Sequence, residues 1–206
     1  MIRTYKHSDV VDFSQYGTIP VINGLTDSQH PCQILADLQT IKEYKGKLQG
    51  IKLAYVGDGN NVANSLLIGC AKVGMHISVA TPKNYECDEF SVRHAKEAAV
   101  QTNASVLITN NPYEAVKDAD VIYTDTWVSM GMEAEKEKRI ESFMPYQVND
   151  KLMKVAKSNA IFMHCLPAYR GFEVSAGVID GPQSAVFDEA ENRLHAQKAV
   201  LVKLLG

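Results

Sequence analysis

Long apolar runs are missing from this sequence. No stretch approaches the ~18 residues of a membrane span, and no signal-peptide pattern stands at the N-terminus. Charge of one sign is nowhere concentrated either. The formal net charge is -3 over 206 residues, and no block of like charges offers itself to nucleic acid or to an anionic membrane. The densest run, "EAEKEKRIE" at 133–141, mixes signs and reads as a solvated face. Cysteine is sparse. Cys32, Cys70, Cys87 and Cys165 form no CxxC pair and no metal-ligand spacing, so no metal site is expected and the thiols read as reduced, in a cytoplasmic protein. Repeats and low-complexity segments are absent.

What is present is a regular alternation. The chain is 46% hydrophobic, enough for a sizeable core, and its apolar runs alternate with amphipathic stretches in the manner of βαβ units. Strands are predicted at 18–23, 51–57, 76–81, 105–110, 120–125 and 160–165. Helices are predicted near 31–45, 61–74, 88–101, 112–118, 147–158 and 188–205. The five strands from residue 51 onward predict an α/β fold with a doubly wound parallel sheet, occupying a domain over 46–187. Residues 1–45 supply too little for a core of their own, and 188–206 read as a C-terminal helix.

In doubly wound sheets, ligands gather outside the carboxyl ends of the strands. Four such ends carry polar clusters. "VGDGNNVANS" has Gly57 and Gly59 behind a strand, but a dinucleotide fingerprint needs a third glycine where Val62 stands and an acid at the end of the next strand. A capped strand-to-helix turn and a ligand site at Asn60 or Asn61 are the other readings. "SQHPCQ" sets His30 and Gln33 at a helix start, which suits an anion or a simple cap. "DTWVSMG" leaves its strand at Asp125; an acid there suits an ammonium, with Ser129 and backbone amides free for a carboxylate, unless Trp127 and Met130 merely pack inward. "AIFMHCLPAYRG" places Cys165 beside His164. Strand neighbours point to opposite faces, so a Cys–His dyad is not expected, and Cys165 is either a site thiol or a small buried hydrophobe. Arg193, four residues after Glu189, has a surface ion pair as its plain reading.

Taken in order, "HPCQILADLQTI", "GDGNN", "ATPKNYE", "DTWVSMGMEAEK", "HCLPAYRG" and "AENRLHAQKA" closely resemble the ornithine carbamoyltransferases, over essentially the whole chain. The resemblance implies transfer of a carbamoyl group from carbamoyl phosphate to the side-chain amine of L-ornithine, giving L-citrulline and phosphate without cofactor or metal. It assigns His30, Gln33, Cys165, Leu166 and Arg193 to carbamoyl phosphate, and Asn61, Asp125, Ser129 and Met130 to ornithine, with Cys165 as the catalytic thiol. It also implies a homotrimer. Residues 1–45 match only a remnant of the family's carbamoyl-phosphate domain. Its Ser-Thr-Arg-Thr loop and a further phosphate-binding arginine are expected to be absent, since none of Arg3, Arg93, Arg139, Arg170 and Arg193 follows Ser-Thr. The 206 residues alone are therefore expected to be inactive. Rival readings are a transferase for another amine such as putrescine, which has no α-carboxylate for "SMG" to hold, and a non-catalytic amino-acid-binding module.

Overall fold

A computed structural model of the chain describes residues 1–128 and 133–206. The chain opens with β1 (Ile2–Arg3), α1 (His7–Tyr16), β2 (Asn23–Leu25) and α2 (Pro31–Lys45). It continues with β3 (Lys52–Val56), α3 (Asn61–Lys72), β4 (His76–Ala80), α4 (Glu89–Thr102), β5 (Val106–Thr109) and α5 (Pro112–Val116). The last part holds β6 (Val121–Thr124), α6 (Lys136–Phe143), α7 (Asp150–Met153), β7 (Ile161–His164), α8 (Ala176–Ile179) and α9 (Val186–Leu205).

The main sheet has the order β5-β4-β3-β6-β7 and every pairing in it is parallel. Residues of opposite parity along each strand feed opposite faces. Leu53, Tyr55, Ile77, Val121, Tyr123 and Met163 pack under α2, α3 and α4. Ala54, Val56, Ile122 and Phe162 pack on the other side with α5, α7 and α8. The fold is thus α/β with a doubly wound parallel sheet, as its alternation predicts. No helix among the described residues is long and apolar enough to cross a membrane.

Sheet order also locates the cleft. From β3 the chain winds outward through β4 and β5, then returns to place β6 on the other flank of β3. The turns leaving β3 and β6 therefore part from each other at their carboxyl ends, which opens a crevice there. In the first of these turns a Cβ on Gly59 would overlap the backbone of Glu86 and Cys87, and the Gly59 N–H donates to the Tyr85 carbonyl at 2.9 Å. That close approach explains the glycine without a dinucleotide. Asn60 then caps α3, its Oδ1 accepting from the amides of Val62 and Ala63 at 3.0 and 3.2 Å.

Two predicted elements differ from the structure. The strand expected at 18–23 is β2, which begins only at Asn23 and pairs with β1 outside the main sheet. Pro20 offers no N–H to a ladder, and Ile19 is exposed. The helix expected at 147–158 is reduced to α7. Val148 is held extended, its N–H donating to Glu173 and its carbonyl accepting from Ser175, and Asn149 starts the helix by accepting from the amides of Lys151 and Leu152. The mixed-charge run continues from a 3-10 turn at Glu133–Glu135 into α6, whose charged residues are exposed except for Arg139, which is buried. Its guanidinium pairs with the buried Asp58 and lies over the rings of Tyr85 and Phe143, 4.9 and 5.1 Å from their centroids.

The chain ends on α9, which packs against α2. Asn192 donates to Thr40 at 3.0 Å and accepts from Gln39 at 2.8 Å across that contact. Ile34 and Leu38 turn into the core, whereas Leu35, Leu194 and Leu201 remain exposed.

Candidate active site

The crevice at the ends of β3 and β6 is a cleft of about 340 Å³. Its walls bring together residues from six separate stretches of sequence: Arg3, His30, Asn60 and Asn61, Asp125, the Cys165–Leu166 pair and Arg193.

Asp125 stands at the centre. Its Oδ2 accepts from Asn60 Nδ2 at 2.7 Å, and its Oδ1 accepts from the Thr126 amide at 2.7 Å and from the Cys165 thiol at 3.2 Å. Asn60 thus works at both ends, capping α3 with its oxygen and orienting Asp125 with its amide. Asn61 is fixed by donating to the Thr26 carbonyl at 2.6 Å.

Cys165 follows β7 in a turn that the chain holds tightly. The Leu166 amide donates to His164 Nδ1 at 2.9 Å. His164 is fully buried, with its Nε2 3.4 Å from Glu173. Leu166 takes a positive φ of 56°, a sparsely populated conformation for a branched residue. Cys165 itself turns to Asp125, so no Cys–His hydrogen bond forms, as strand alternation predicts. Asp125, His164 and Cys165 have donor atoms within 4.8 Å of one another, yet each is already engaged by a protein partner. Burial first, then the adjacent Asp125 charge, pushes the Cys165 thiol well above its ordinary value. The thiol is accordingly held protonated. Asp125→Asn should speed alkylation of Cys165 at neutral pH, by about tenfold for each unit by which its pKa falls. Equal rates in the two proteins, read by mass spectrometry of the Cys165 peptide, would count against this.

His30 precedes Pro31 at the start of α2. Its backbone N–H donates to Ser65 at 2.8 Å. Burial, followed by the charges of Arg193 and Arg3, lowers its imidazole to about 4. At neutral pH it is therefore a neutral ring, able to donate one hydrogen bond without being an acid. His30 Nδ1 and Arg193 Nε are buried with no protein partner, and both residues line the cleft. Unpaired buried polar atoms are costly, and a ligand oxygen with lone pairs would satisfy a donor here.

Three sequence expectations need correction or qualification. Gln33 is buried but does not line the cleft; it lies behind the wall, where its Oε1 accepts from Arg193 at 2.6 Å. Arg193 makes no surface pair with Glu189, because Glu189 is fully buried. Arg3, to which the sequence reading gives no role, also lines the cleft, where the two-residue strand β1 places it. Ser129 and Met130 lie outside the described residues.

In this α/β protein an acid, a thiol and two arginines converge on the switch-point cleft, which therefore carries charge of both signs. The chain belongs to the aspartate/ornithine carbamoyltransferase family: the family's Asp/Orn-binding domain matches residues 49–204, and its carbamoyl-P-binding domain matches residues 1–43. The ornithine carbamoyltransferase of Caldicellulosiruptor saccharolyticus is 63% identical over 202 residues, covering 98% of this chain and 66% of its own length. That of Bacillus subtilis is 59% identical, covering 100% of this chain and 64% of the relative. The structure of ornithine carbamoyltransferase from Pyrococcus furiosus superposes with a TM-score of 0.96 at 56% identity, over 99% of this chain and 65% of that one. The chain thus spans about two thirds of the length of these relatives.

Proposed function

We propose that this chain carries the amine-accepting side, and part of the carbamoyl-phosphate side, of a carbamoyl transfer from carbamoyl phosphate to L-ornithine. The observation that carries this is the cleft itself, with Asp125 and Cys165 facing Arg3, His30 and Arg193. Asp125 and the amides of Asn60 and Asn61 receive the amino-acid end. Ser129 and Met130 hold its α-amino and α-carboxylate groups, as the resemblance implies.

An alkyl ammonium has a pKa of about 10.4 and must lose a proton before it attacks. The Asp125 carboxylate accepts that proton, with the Cys165 thiol hydrogen-bonded to it holding it in place. The freed amine nitrogen bonds to the carbamoyl carbon, negative charge builds on the carbonyl oxygen, and the bond to the phosphate oxygen then breaks. Arg193 Nε and the neutral His30 ring supply donors for that developing charge, the kind of stabilisation that contributes most in acyl transfer. Leu166 shapes the wall beside the reacting carbon, and Arg3 offers a positive charge for the departing phosphate. Gln33 acts from behind, by holding Arg193.

In a chain that carries both family domains whole, kcat/KM should favour L-ornithine over putrescine, because a diamine forfeits the contacts to the α-carboxylate. At about 1.5–3 kcal/mol for a charge-assisted hydrogen bond, losing one lowers kcat/KM by about 10- to 150-fold. Equal values for the two amines would overturn the amino-acid assignment.

A further inference from the structure

Behind the cleft wall lies a buried polar cluster for which the transfer has no direct use. Asp37 from α2 and Glu189 from α9 are both fully buried. Gln33 gives both amide hydrogens to this pair, its Nε2 lying 2.8 Å from Asp37 Oδ1 and 3.1 Å from Glu189 Oε1. Its carbonyl oxygen is left facing Arg193 Nη1, from which it accepts at 2.6 Å. The flipped amide would set an NH2 group against the guanidinium, so the carboxyl pair decides how Gln33, and through it Arg193, is oriented. Glu189 also accepts from the Tyr123 hydroxyl and from the backbone N–H of His164, each at 2.9 Å. His164 is the residue before Cys165. One pair of acids therefore ties together α2, α9 and the end of β7.

Between the two acids one oxygen lacks a partner: Asp37 Oδ2 is buried and receives no hydrogen bond. Two ionised carboxylates would leave it so, and would set two buried negative charges against the one positive charge of Arg193. A proton on one carboxyl removes both faults. It provides a hydrogen bond between the acids and leaves one negative charge facing one positive charge. We propose that Asp37 and Glu189 form a positioning unit, joined by a shared proton, that holds the Arg193 arm and the Cys165 turn in register with each other. Its part in carbamoyl transfer rests on the function proposed above; the proton and the register do not.

Burial acts in the same direction on both groups. It raises Asp37 to about 7, and burial together with the neighbouring Asp37 charge pushes Glu189 well above its ordinary value. The charged and titratable groups facing the pair are Arg193 from α9, Tyr123 from β6, Cys70 from α3 and Cys165 after β7.

Two isosteric changes distinguish this unit from a merely structural contact. Asp37→Asn keeps an oxygen for Gln33 and places an NH2 donor where the shared proton acts, so Glu189 retains its three donors. Glu189→Gln leaves a single acceptor oxygen for Gln33, Tyr123 and His164 together. Carboxyl 13C NMR of the Asp- and Glu-labelled 206-residue protein should show Asp37 and Glu189 titrating together, above the ordinary carboxylate range. In Asp37→Asn that joint titration should vanish while the Arg193 15Nε and Cys165 13Cβ shifts stay where they were. In Glu189→Gln both shifts should move. If Glu189→Gln fails to fold, Asp37→Ala replaces it and should disturb the signals that Asp37→Asn preserves. Independent titration of the two acids in the ordinary range near ~4 would overturn the proposal. Equal disturbance of Arg193 and Cys165 by the preserving and disrupting variants would do the same. No step of this experiment reads citrulline, so an error in the proposed reaction leaves its outcome intact.

Discussion

Arg139→Ala should unfold at markedly lower temperature than the unmodified protein. Its guanidinium and the Asp58 carboxyl are both buried, at 3% and 6% exposure, so removal of the cation strands an acid in the interior. Breaking a buried pair from one side costs about 3–5 kcal/mol, which for a chain of this size lowers Tm by roughly 6–20 °C. The sign of the pH dependence is fixed as well. Burial raises Asp58 from 3.8 to about 6 with Arg139 opposing, so the group contributes stability below its unfolded value and loses it as pH rises through about 6. Without Arg139 the folded value climbs further. The deficit of the variant should therefore be smallest near pH 4 and grow toward pH 8. Adding Asp58→Asn to Arg139→Met should recover much of the loss. Urea unfolding that places Arg139→Ala within about 1 kcal/mol of the parent would show that the pair is dispensable.

The second large effect concerns turnover. Supplied with carbamoyl phosphate and L-ornithine, these 206 residues alone should form citrulline far more slowly than a relative carrying both domains whole. On the function proposed above, Arg3, His30 and Arg193 face the anion, but the sequence contains no Ser-Thr-Arg-Thr loop. Two missing charge-assisted hydrogen bonds, at about 1.5–3 kcal/mol each, weaken binding by on the order of 10²- to 10⁴-fold. A colorimetric citrulline assay giving a rate close to that of such a relative would refute this.

Much of the cleft was legible because its residues stand at strand ends, and strand ends can be read from periodicity. Asp125, Cys165 and Asn61 follow β6, β7 and β3 in this way, and His30 is marked by the proline that starts α2. The residues that sequence does not reveal depend on long-range packing. Nothing in "EAEKEKRIE" distinguishes Arg139 from the lysines around it, and its burial arises only where α6 meets Tyr85 and Phe143. Arg3 sits on a strand too short to show a period. Asp37 and Glu189 are 152 residues apart in sequence and look like ordinary helix-surface acids until α2 and α9 close on each other. Gln33 can be read onto the first turn of α2, but its contacts with Asp37, Glu189 and Arg193 cannot, because helical spacing does not say what a side chain will meet.

The fit of Gly59 against Glu86 and Cys87 bears on how this protein can change over generations. Position 59 admits no side chain at all while the 82–88 segment stays where it is, so neutral drift there is closed. A lineage can replace that glycine only after the opposing loop has already moved away, and a displaced loop gains nothing until the replacement arrives. The two segments are thus inherited as one unit despite the whole of α3 and β4 between them. Shuffling experiments between distant relatives that cut inside this interval should yield few folded recombinants, whereas cuts on either side of it should be tolerated.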